Sequence, residues 1–480
     1  MYGTRAGYRR CGGYVSEKVC NARLIARAPR ESYARAVLGA SLPSVRSALP
    51  GVLGARWVEL LSRTESPALT ARRARRQERS GTPQDPIVWH RALGANVVDV
   101  DGNVFVDFTS GFGVAALGHR HPHVVAAILE QSELLLHALG DLQPSDVKIA
   151  LLEKLALLGP WPESRVILGA HGADAIEAAL KTAMLHTKKP GVLAFQGGYH
   201  GLSHGPLALC GYQAAFRAPF AAQLNPHVSF ARYPSPDVSL EDAMTEVRRA
   251  LGASSAEVGA VVVEPMLGRG GVVLPPPGFL RALRDEATRV GALLVVDEIY
   301  TGFHRAGPRL LSAAELSDAP PDLICIGKAL GGGLPMSACL GDERVMRAWG
   351  DPDGEAIHTA TFFGSPLACA SAIAMLDLFA STDMEGLVAM RGALLESGLR
   401  SLIDGHIVRG VRGKGLALGL ELDSGARTLR WMRLLLERGY LVVPAGADAS
   451  VMQLAPPLNI EPALIEAFIE ALRGLVREES

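Results

Sequence analysis

Short apolar runs without polar alternation set the pattern of this chain. Ala292 to Val296 and Leu323 to Ile326 have the length and β-branched content of strands buried on both faces. RVILGA, GVLAFQ and VGAVVVEP repeat the type, separated by helix-patterned pieces such as GADAIEAALKTAMLH and PGFLRALRDEATRV. From about Pro144 to Ala372 this alternation predicts an α/β fold, a mostly parallel central sheet with helices on both faces. Upstream, alternating apolar residues flank Asp101-Gly102-Asn103 and predict a hairpin. His121-Pro122 then opens a helical pattern through Val124, Ile128 and Leu134 to Leu136.

A smaller α/β portion is expected from about Ile373. It holds a helical run from Met384 to Leu402, strands in HIVRGVRGKGLALGLEL and YLVVPAG, and a closing helix from Glu461 to Val476. Leu49 to Ser80 reads as helix in two pieces broken at Pro67. Residues 1–48 lack sustained periodicity and read as a poorly ordered extension. The expected organisation is thus this extension over 1–48, an N-terminal segment over 49–115 contributing to the small domain, a large cofactor-binding domain over 116–372, and a small C-terminal α/β domain over 373–480.

Composition narrows the function classes. Of 480 residues, 48% are hydrophobic and 20% charged, with a net charge of -1, a balance that gives no reason to expect nucleic acid. No apolar run approaches the roughly 18 residues a membrane-spanning helix needs, so no membrane partner is expected. The six cysteines are scattered without metal-ligand spacing, which predicts reduced thiols, no metal and a cytoplasmic protein. Charge is uneven: residues 1–80 hold 16 Lys/Arg against 5 Asp/Glu, densest at Arg72, Arg73, Arg75, Arg76 and Arg79. Such a segment reads as a loosely ordered extension or an upstream-assigned start, with a mitochondrial-type transit peptide as the alternative.

Candidate chemistry sits at the strand ends. Asp297 and Lys328 close two of the apolar runs, and in an open α/β sheet ligands collect at the carboxyl ends of strands. A carboxylate beside a pyridine nitrogen keeps it protonated, and a lysine in the same cleft can hold an aldehyde cofactor as a Schiff base and move protons; this is the pairing pyridoxal chemistry needs. Taken singly, a strand-terminal Asp can equally be a cap and a Lys among glycines a solvated side chain. Gly169-Ala170-His171-Gly172-Ala173-Asp174 lies between a strand and a helix, where free N–H groups can receive a phosphate. Gly197-Gly198-Tyr199-His200-Gly201 presents an aromatic ring on a glycine-flanked loop, able to stack on a pyridine.

GADAIEAALK, GGYHG, VVVEP, VVDEIYTGF, GKALGGGLP and TFFGSPLACA follow one another in the order and spacing of class III aminotransferases, and over roughly Pro86 to Pro462 the chain resembles that family. The resemblance implies fold type I and pyridoxal 5'-phosphate (PLP) as cofactor. Carried over by position, it implies Lys328 as the Schiff-base lysine and Asp297 as the pyridine-nitrogen partner. Ile299 and Tyr199 would lie on the two ring faces, with His200 beside them and Gly172 and Ala173 in the phosphate cup. Thr361 would reach the phosphate of a neighbouring subunit, which makes the protein a homodimer. Glu264 matches a glutamate that in several members pairs with an arginine, and Phe112 joins it on the substrate side.

Departures from that pattern are informative. Ala173 stands where Ser or Thr is frequent, Tyr300 where Gln is usual and Ser365 where Asn is usual. Gln453, in VMQLAPPL, occupies the place of an arginine that clamps the substrate α-carboxylate, and a lost bidentate charge-assisted pair costs on the order of a few kcal/mol. Arg269 is the candidate replacement, with Arg217 and Arg412 behind it. The expected reaction is ping-pong transamination between a small-molecule amine donor (an amino acid, ω-amino acid or amine) and an oxo-acid acceptor. An aminomutase or epimerase of the same superfamily and a non-catalytic PLP-binding paralogue are the alternatives.

Overall fold

The computed structural model describes residues 39–350 and 355–479. At its centre is a seven-stranded sheet of β4 (Ser164–Gly169), β5 (Gly191–Gln196), β6 (Val228–Arg232), β7 (Val258–Val263), β8 (Leu293–Asp297), β9 (Leu323–Ile326) and β10 (Ser337–Asp342). Their order is β4-β10-β9-β8-β7-β5-β6, and only β10 runs against its neighbours. β7, β8 and β9 are buried along their whole length, which explains their continuous apolar character. The sheet is the mostly parallel one expected; β6 and β10 escape the pattern reading because Ser229, Ser337 and Gly341 interrupt their apolar character.

Helices cover both faces. α5 (Gly172–Thr187) packs on β4, β9 and β10, and α7 (Phe279–Val290) on β7 and β8, with α6 (Leu240–Gly252) against β6. α7 shows why the sequence reads as helix: Phe279, Leu280, Leu283 and Ala287 are buried at helical spacing. Burying each such large side chain contributes about 1.5–3 kcal/mol. The helix ends on Gly291, whose φ of 65° is the left-handed cap glycine tolerates best.

Ahead of the sheet, α1 (Val52–Thr64) and α2 (Pro67–Ser80) are the two expected pieces, with Pro67 at the start of the second rather than inside a helix. β1 (Trp89–Leu93), β2 (Asn96–Asp99) and β3 (Val104–Asp107) follow, β2 and β3 forming the hairpin around Gly102. α3 (Pro122–Leu134) ends two residues before the expected limit, because Leu135 is already extended. Of the expected disordered extension, residues 1–38 lie outside the described residues. Its last part is a correction: Gly39 and Ser41 donate to Asn96 Oδ1 at 2.8 Å each, and Arg46 N donates to Asn103 Oδ1 at 2.8 Å. Buried asparagines of the hairpin thus bind this strap, a constraint no periodicity reports.

α4 (Asp146–Ala156), α8 (Pro366–Ser381) and α9 (Met384–Arg400) bear on the domain boundary. Residue 373 falls inside α8, which packs on α3, α4 and the turn carrying Lys328. The chain bends by 81° between α8 and α9, and α9 packs instead on α11 (Pro462–Glu479) and β11 (Val408–Lys414). The change of packing partner is therefore at Thr382-Asp383. β11, β12 (Ala417–Leu422), β15 (Val451–Leu454) and β14 (Val443–Ala445) make a second sheet in that order, over which α10 (Gly425–Glu437) packs. β13 (Tyr440–Leu441) leaves it to pair in parallel with β3, tying the C-terminal segment to the N-terminal hairpin. Among the described residues, no single helix is long and apolar enough to cross a membrane.

Candidate active site

The carboxyl ends of the parallel strands converge on one cleft. β8 ends on Asp297, buried, whose Oδ1 accepts the Ile299 N–H at 3.0 Å and whose Oδ2 accepts His200 Nδ1 at 2.7 Å. His200 is itself buried. Burial alone would lower its pKa, but the bond to Asp297 and the charges of Asp297 and Glu264 override this and hold it above the usual histidine range. The Asp297 carboxyl is therefore aimed by the His200 imidazole.

β9, the parallel neighbour of β8, pairs Cys325 with Asp297, and three residues later the chain turns at Lys328 with φ of 44°. The left-handed backbone of a non-glycine residue is a conformation that surrounding structure must impose. Lys328 Nζ lies 5.2 Å from the centre of the Tyr300 ring. Burial lowers the pKa of its amine most; Asp297 and Glu264 pull it up, and Arg269 pushes it down again. The net result is an amine more easily deprotonated than an exposed lysine.

β4 leads through Gly169 to α5. Asp174 Oδ2 accepts the Ala170 and His171 N–H groups at 2.9 Å each, closing the loop, and Ser337 Oγ donates to the His171 carbonyl at 2.6 Å. No partner within the described residues takes the N–H groups of Gly172 and Ala173. A side chain at Gly172 would come within 2.9 Å of Ile299 Cδ1 and Cγ2, so the glycine lets the helix end close on Ile299.

β5 and β7 supply the opposite wall. The loop after β5 carries Tyr199, half-buried, and its N–H donates to Glu264 Oε1 at 2.8 Å, while Gly268 N donates to Glu264 Oε2 at 3.0 Å. Among the described residues, no arginine forms the expected pair with Glu264. Both carboxylate oxygens are spent on backbone N–H groups, and Arg412 pairs with Glu421, Nε to Oε2 at 3.1 Å. Arg269 lies with its guanidinium 4.6 Å over the Tyr199 ring, 5.1 Å from Tyr212 and 5.7 Å from Phe216. Arg217 is drawn away over Phe230 at 4.3 Å.

The floor comes from the N- and C-terminal segments. Asp107 holds the 109–119 loop, accepting from Thr109 Oγ1 at 2.6 Å, Gly111 N at 3.1 Å and His119 Nε2 at 2.9 Å. That loop presents Phe112, 70% exposed, and Gly113, where a side chain would touch Lys328 and Tyr300 at 3.6 Å. Tyr300 is half-buried and its Oη lacks a well-formed hydrogen bond; burial raises its pKa, with the Arg305 charge and then the Gln453 side chain acting against that rise. Below it, Arg305 is buried, donating to the carbonyls of Leu416 at 3.0 Å and Pro456 at 2.6 Å. Burial lowers its pKa to about 10. Arg305 and Gly113 were not singled out from sequence, although Arg305 stands within the same stretch as Asp297.

Asp297, Lys328, Gly172, Ala173, Tyr199, His200, Ile299, Glu264 and Arg269 thus share one cleft. Thr361 does not: it is exposed, in a groove with His137, Lys148 and Phe363. The cleft suits PLP: unpaired N–H groups at the start of α5 for a phosphate, a buried carboxylate for a pyridine N–H, and a lysine of lowered pKa for the aldehyde carbon. Among the described residues, no group of three or more His, Cys, Asp or Glu could hold a metal.

Similar proteins identify the family. The family described as Aminotransferase class-III is matched over residues 78–476. The acetylornithine aminotransferase of Mycobacterium tuberculosis is 37% identical over 405 residues, covering 82% of this chain and 92% of the relative. That of Methanothermobacter thermautotrophicus is 31% identical over 398 residues, covering 82% and 95%. Among solved structures, an amine transaminase from an uncultivated Pseudomonas species, with PLP bound, superimposes with a TM-score of 0.75 at 27% identity, covering 82% of this chain and 95% of its own. An adenosylmethionine-8-amino-7-oxononanoate aminotransferase from Methanocaldococcus jannaschii gives 0.74 at 25%, covering 82% and 93%. The chain belongs to the class III aminotransferases, PLP-dependent enzymes of fold type I that pass an amino group from an amine donor to an oxo acid.

Proposed function

We propose that Lys328 is the residue that holds the cofactor and moves the proton, that Asp297 is its electrostatic partner, and that the donor carries its reacting amine at the end of an amino-acid-like molecule. One observation carries the reading: a buried carboxylate and an amine of lowered pKa stand at the ends of two adjacent parallel strands. Bound PLP supplies an electron sink at the substrate carbon. Lys328, easily deprotonated, takes and returns the proton there. Asp297, oriented by His200, faces the pyridine N–H, and Gly172 and Ala173 offer their N–H groups to the phosphate. Tyr300 and Phe112 narrow the space around the reacting carbon. The terminal-amine donor is supported by relatives named acetylornithine aminotransferases.

The working unit is a homodimer in this reading. Leu134, Leu136, Leu139, Leu142 and Phe362 are exposed, and so many large apolar side chains around one region are costly without a partner. Thr361, adjacent to Phe362 and remote from this chain's own Lys328, then serves the partner's phosphate. A cytoplasmic setting is part of this reading, supported by six cysteines scattered along the chain without metal-ligand spacing.

Borohydride reduction of the purified holoprotein followed by peptide mass analysis is the test. A cofactor label on the Lys328 peptide, with turnover lost in Lys328→Ala, is the expected result. A label elsewhere, or full activity in the variant, would end the assignment.

A further inference from the structure

The loop that carries Gly113 against Lys328 is built from conformations a chain does not adopt unaided. Ser110 and Phe112, neither of them glycine, have φ of 46° and 63°, and Gly111 and Gly113 have 56° and 86°. Left-handed backbone at non-glycine residues is held only where the surroundings fix it. The C-terminal segment does so from both ends of the loop. Ala455 N donates to the Phe108 carbonyl and Ser110 Oγ to the Ala455 carbonyl, each at 2.7 Å. Beyond the loop's middle, Leu458 N donates to the Ala116 carbonyl at 2.7 Å and Asn459 Nδ2 to the Leu117 carbonyl at 3.2 Å.

Between those two grips stands Pro456, whose carbonyl accepts from Arg305 Nη1 at 2.6 Å. The same nitrogen donates to the Leu416 carbonyl at 3.0 Å, and Leu416 N returns a bond to the Arg305 carbonyl at 3.2 Å. Gly415 permits the approach: its φ is 64°, and a side chain there would come within 2.6 Å of Gly307 N. Arg305 is 2% exposed, forms no ion pair among the described residues, and leaves its Nη2 without an acceptor. A buried cation is an expensive way to fill space, so its worth lies in what its donors join. They join the 300–306 turn to the turn between β11 and β12 and to the segment after β15. That 300–306 turn begins at Tyr300, and a side chain on Gly113 would touch both the Tyr300 ring and Lys328 Cδ at 3.6 Å. The circuit closes on Lys328, whose Nζ lies 5.2 Å from the centre of the same ring.

We propose that Arg305 is a positioning residue for Lys328: by locking Pro456 and Leu416 to the turn that carries Tyr300, it holds the Tyr300 ring and Gly113 as two walls that keep water from the lysine side chain. The inference rests on the reading of Lys328 as the residue that holds the cofactor. Arg305 itself touches neither cofactor nor substrate. Freed from Arg305, the two walls separate and water reaches the lysine stem. Burial is the main cause of the lowered pKa of the Lys328 amine, so wetting it works against that shift, and a cofactor joined to this nitrogen senses the change.

Holoenzyme of wild type, Arg305→Gln, Arg305→Lys, Ser110→Ala and the Arg305→Gln/Ser110→Ala double variant tests this, with folding checked by circular dichroism. Ser110→Ala cuts the far end of the circuit without changing charge. The absorbance of the bound cofactor is titrated with pH, and hydrogen exchange is followed at the Gly113 and Ala115 amides, which donate to the carbonyls of Thr109 and Ser110. The titration midpoint is expected to rise in Arg305→Gln and in Ser110→Ala, to return in part in Arg305→Lys, and to rise in the double variant by less than the sum of the two. Exchange at both amides is expected to quicken about tenfold in Arg305→Gln and Ser110→Ala, with the amides of β7 and β8 as in wild type. Additive midpoint shifts or unchanged exchange overturn the inference, and so does complete recovery in Arg305→Lys of the midpoint alone, which would leave charge as the whole role. If Arg305→Gln does not fold, Arg305→Lys takes its place in the cycle. Quickened exchange beside a titration that Lys328→Ala also shows would keep the mechanical link and sink the Lys328 reading alone.

Discussion

His200 Nδ1 and Asp297 Oδ2 meet at 2.7 Å with both side chains buried. The imidazole comes from the loop after β5 and the carboxylate from the end of β8, so the bond joins two strands' worth of active site through one proton. Replacing His200 by Ala leaves Asp297 buried with only the Ile299 N–H, and an unpaired buried charge is expensive. We expect kcat to fall about tenfold with little change in the donor KM, partial rescue by added imidazole, and a shift in the absorbance of the bound cofactor. An unchanged spectrum and kcat would remove His200 from the site.

Gly172→Ala tests the phosphate cradle. The added methyl would stand 2.9 Å from two carbons of Ile299, one of them on the branched Cβ that cannot swing away. Overpacking of this size costs about 1–3 kcal/mol. The cost falls on the contact between Ile299 and the helix end, so the variant should release PLP faster during dialysis while keeping its far-ultraviolet circular dichroism. Retention equal to wild type would show that the cradle has slack.

How much of this could be read from sequence depends on what a residue's role requires. Asp297 and Lys328 were legible because each terminates a buried strand, and strand ends are marked by a change from apolar to polar. Gly172 and Tyr199 were legible as turn chemistry. The backbone bonds of Glu264 were not legible, since its two donors come from loops 65 residues upstream and 4 residues downstream, which spacing cannot report. The docking of Arg79 was hidden for the opposite reason: a run of arginines has no apolar face to betray it, and the Asp448 carbonyl to which Arg79 donates is distant in sequence. The strap at 39–47 escaped likewise, because its hydrogen bonds end on buried asparagines of the hairpin.

Glu264→Gln asks whether the two N–H groups need a full carboxylate. A glutamine can present its carbonyl to Tyr199 or to Gly268, and its amide N–H₂ must then face the other donor. Leaving a buried donor unmatched costs about 1–3 kcal/mol, here localised in the Tyr199 loop. Hydrogen exchange at the Tyr199 and Gly268 amides should accelerate by an order of magnitude or more, while exchange in β8 stays as it was. If neither amide responds, the loops are held by something other than Glu264.

Glu298 sets a pH dependence of stability. It is fully buried beside Asp297, with Oε1 accepting the Ala313 N–H at 2.6 Å and Oε2 meeting Thr301 Oγ1 at 2.5 Å. Burial is the chief cause that raises its pKa from 4.5 to about 7, the nearby Asp297 charge adding to it. A carboxyl whose pKa is higher in the folded chain than in the unfolded one binds more protons when folded, so its contribution is destabilising as pH rises between 4.5 and about 7. Integrated over that window the loss is roughly 3 kcal/mol. Glu298→Gln mimics the protonated form, since its carbonyl can still accept from Ala313 and its N–H₂ can donate to Thr301 Oγ1. The variant should therefore match wild type in thermal denaturation near pH 5 and exceed it increasingly toward pH 8. Parallel Tm curves for the two proteins across that range would mean that Glu298 is ionised throughout and that its bonds to Thr301 and Ala313 outweigh its burial.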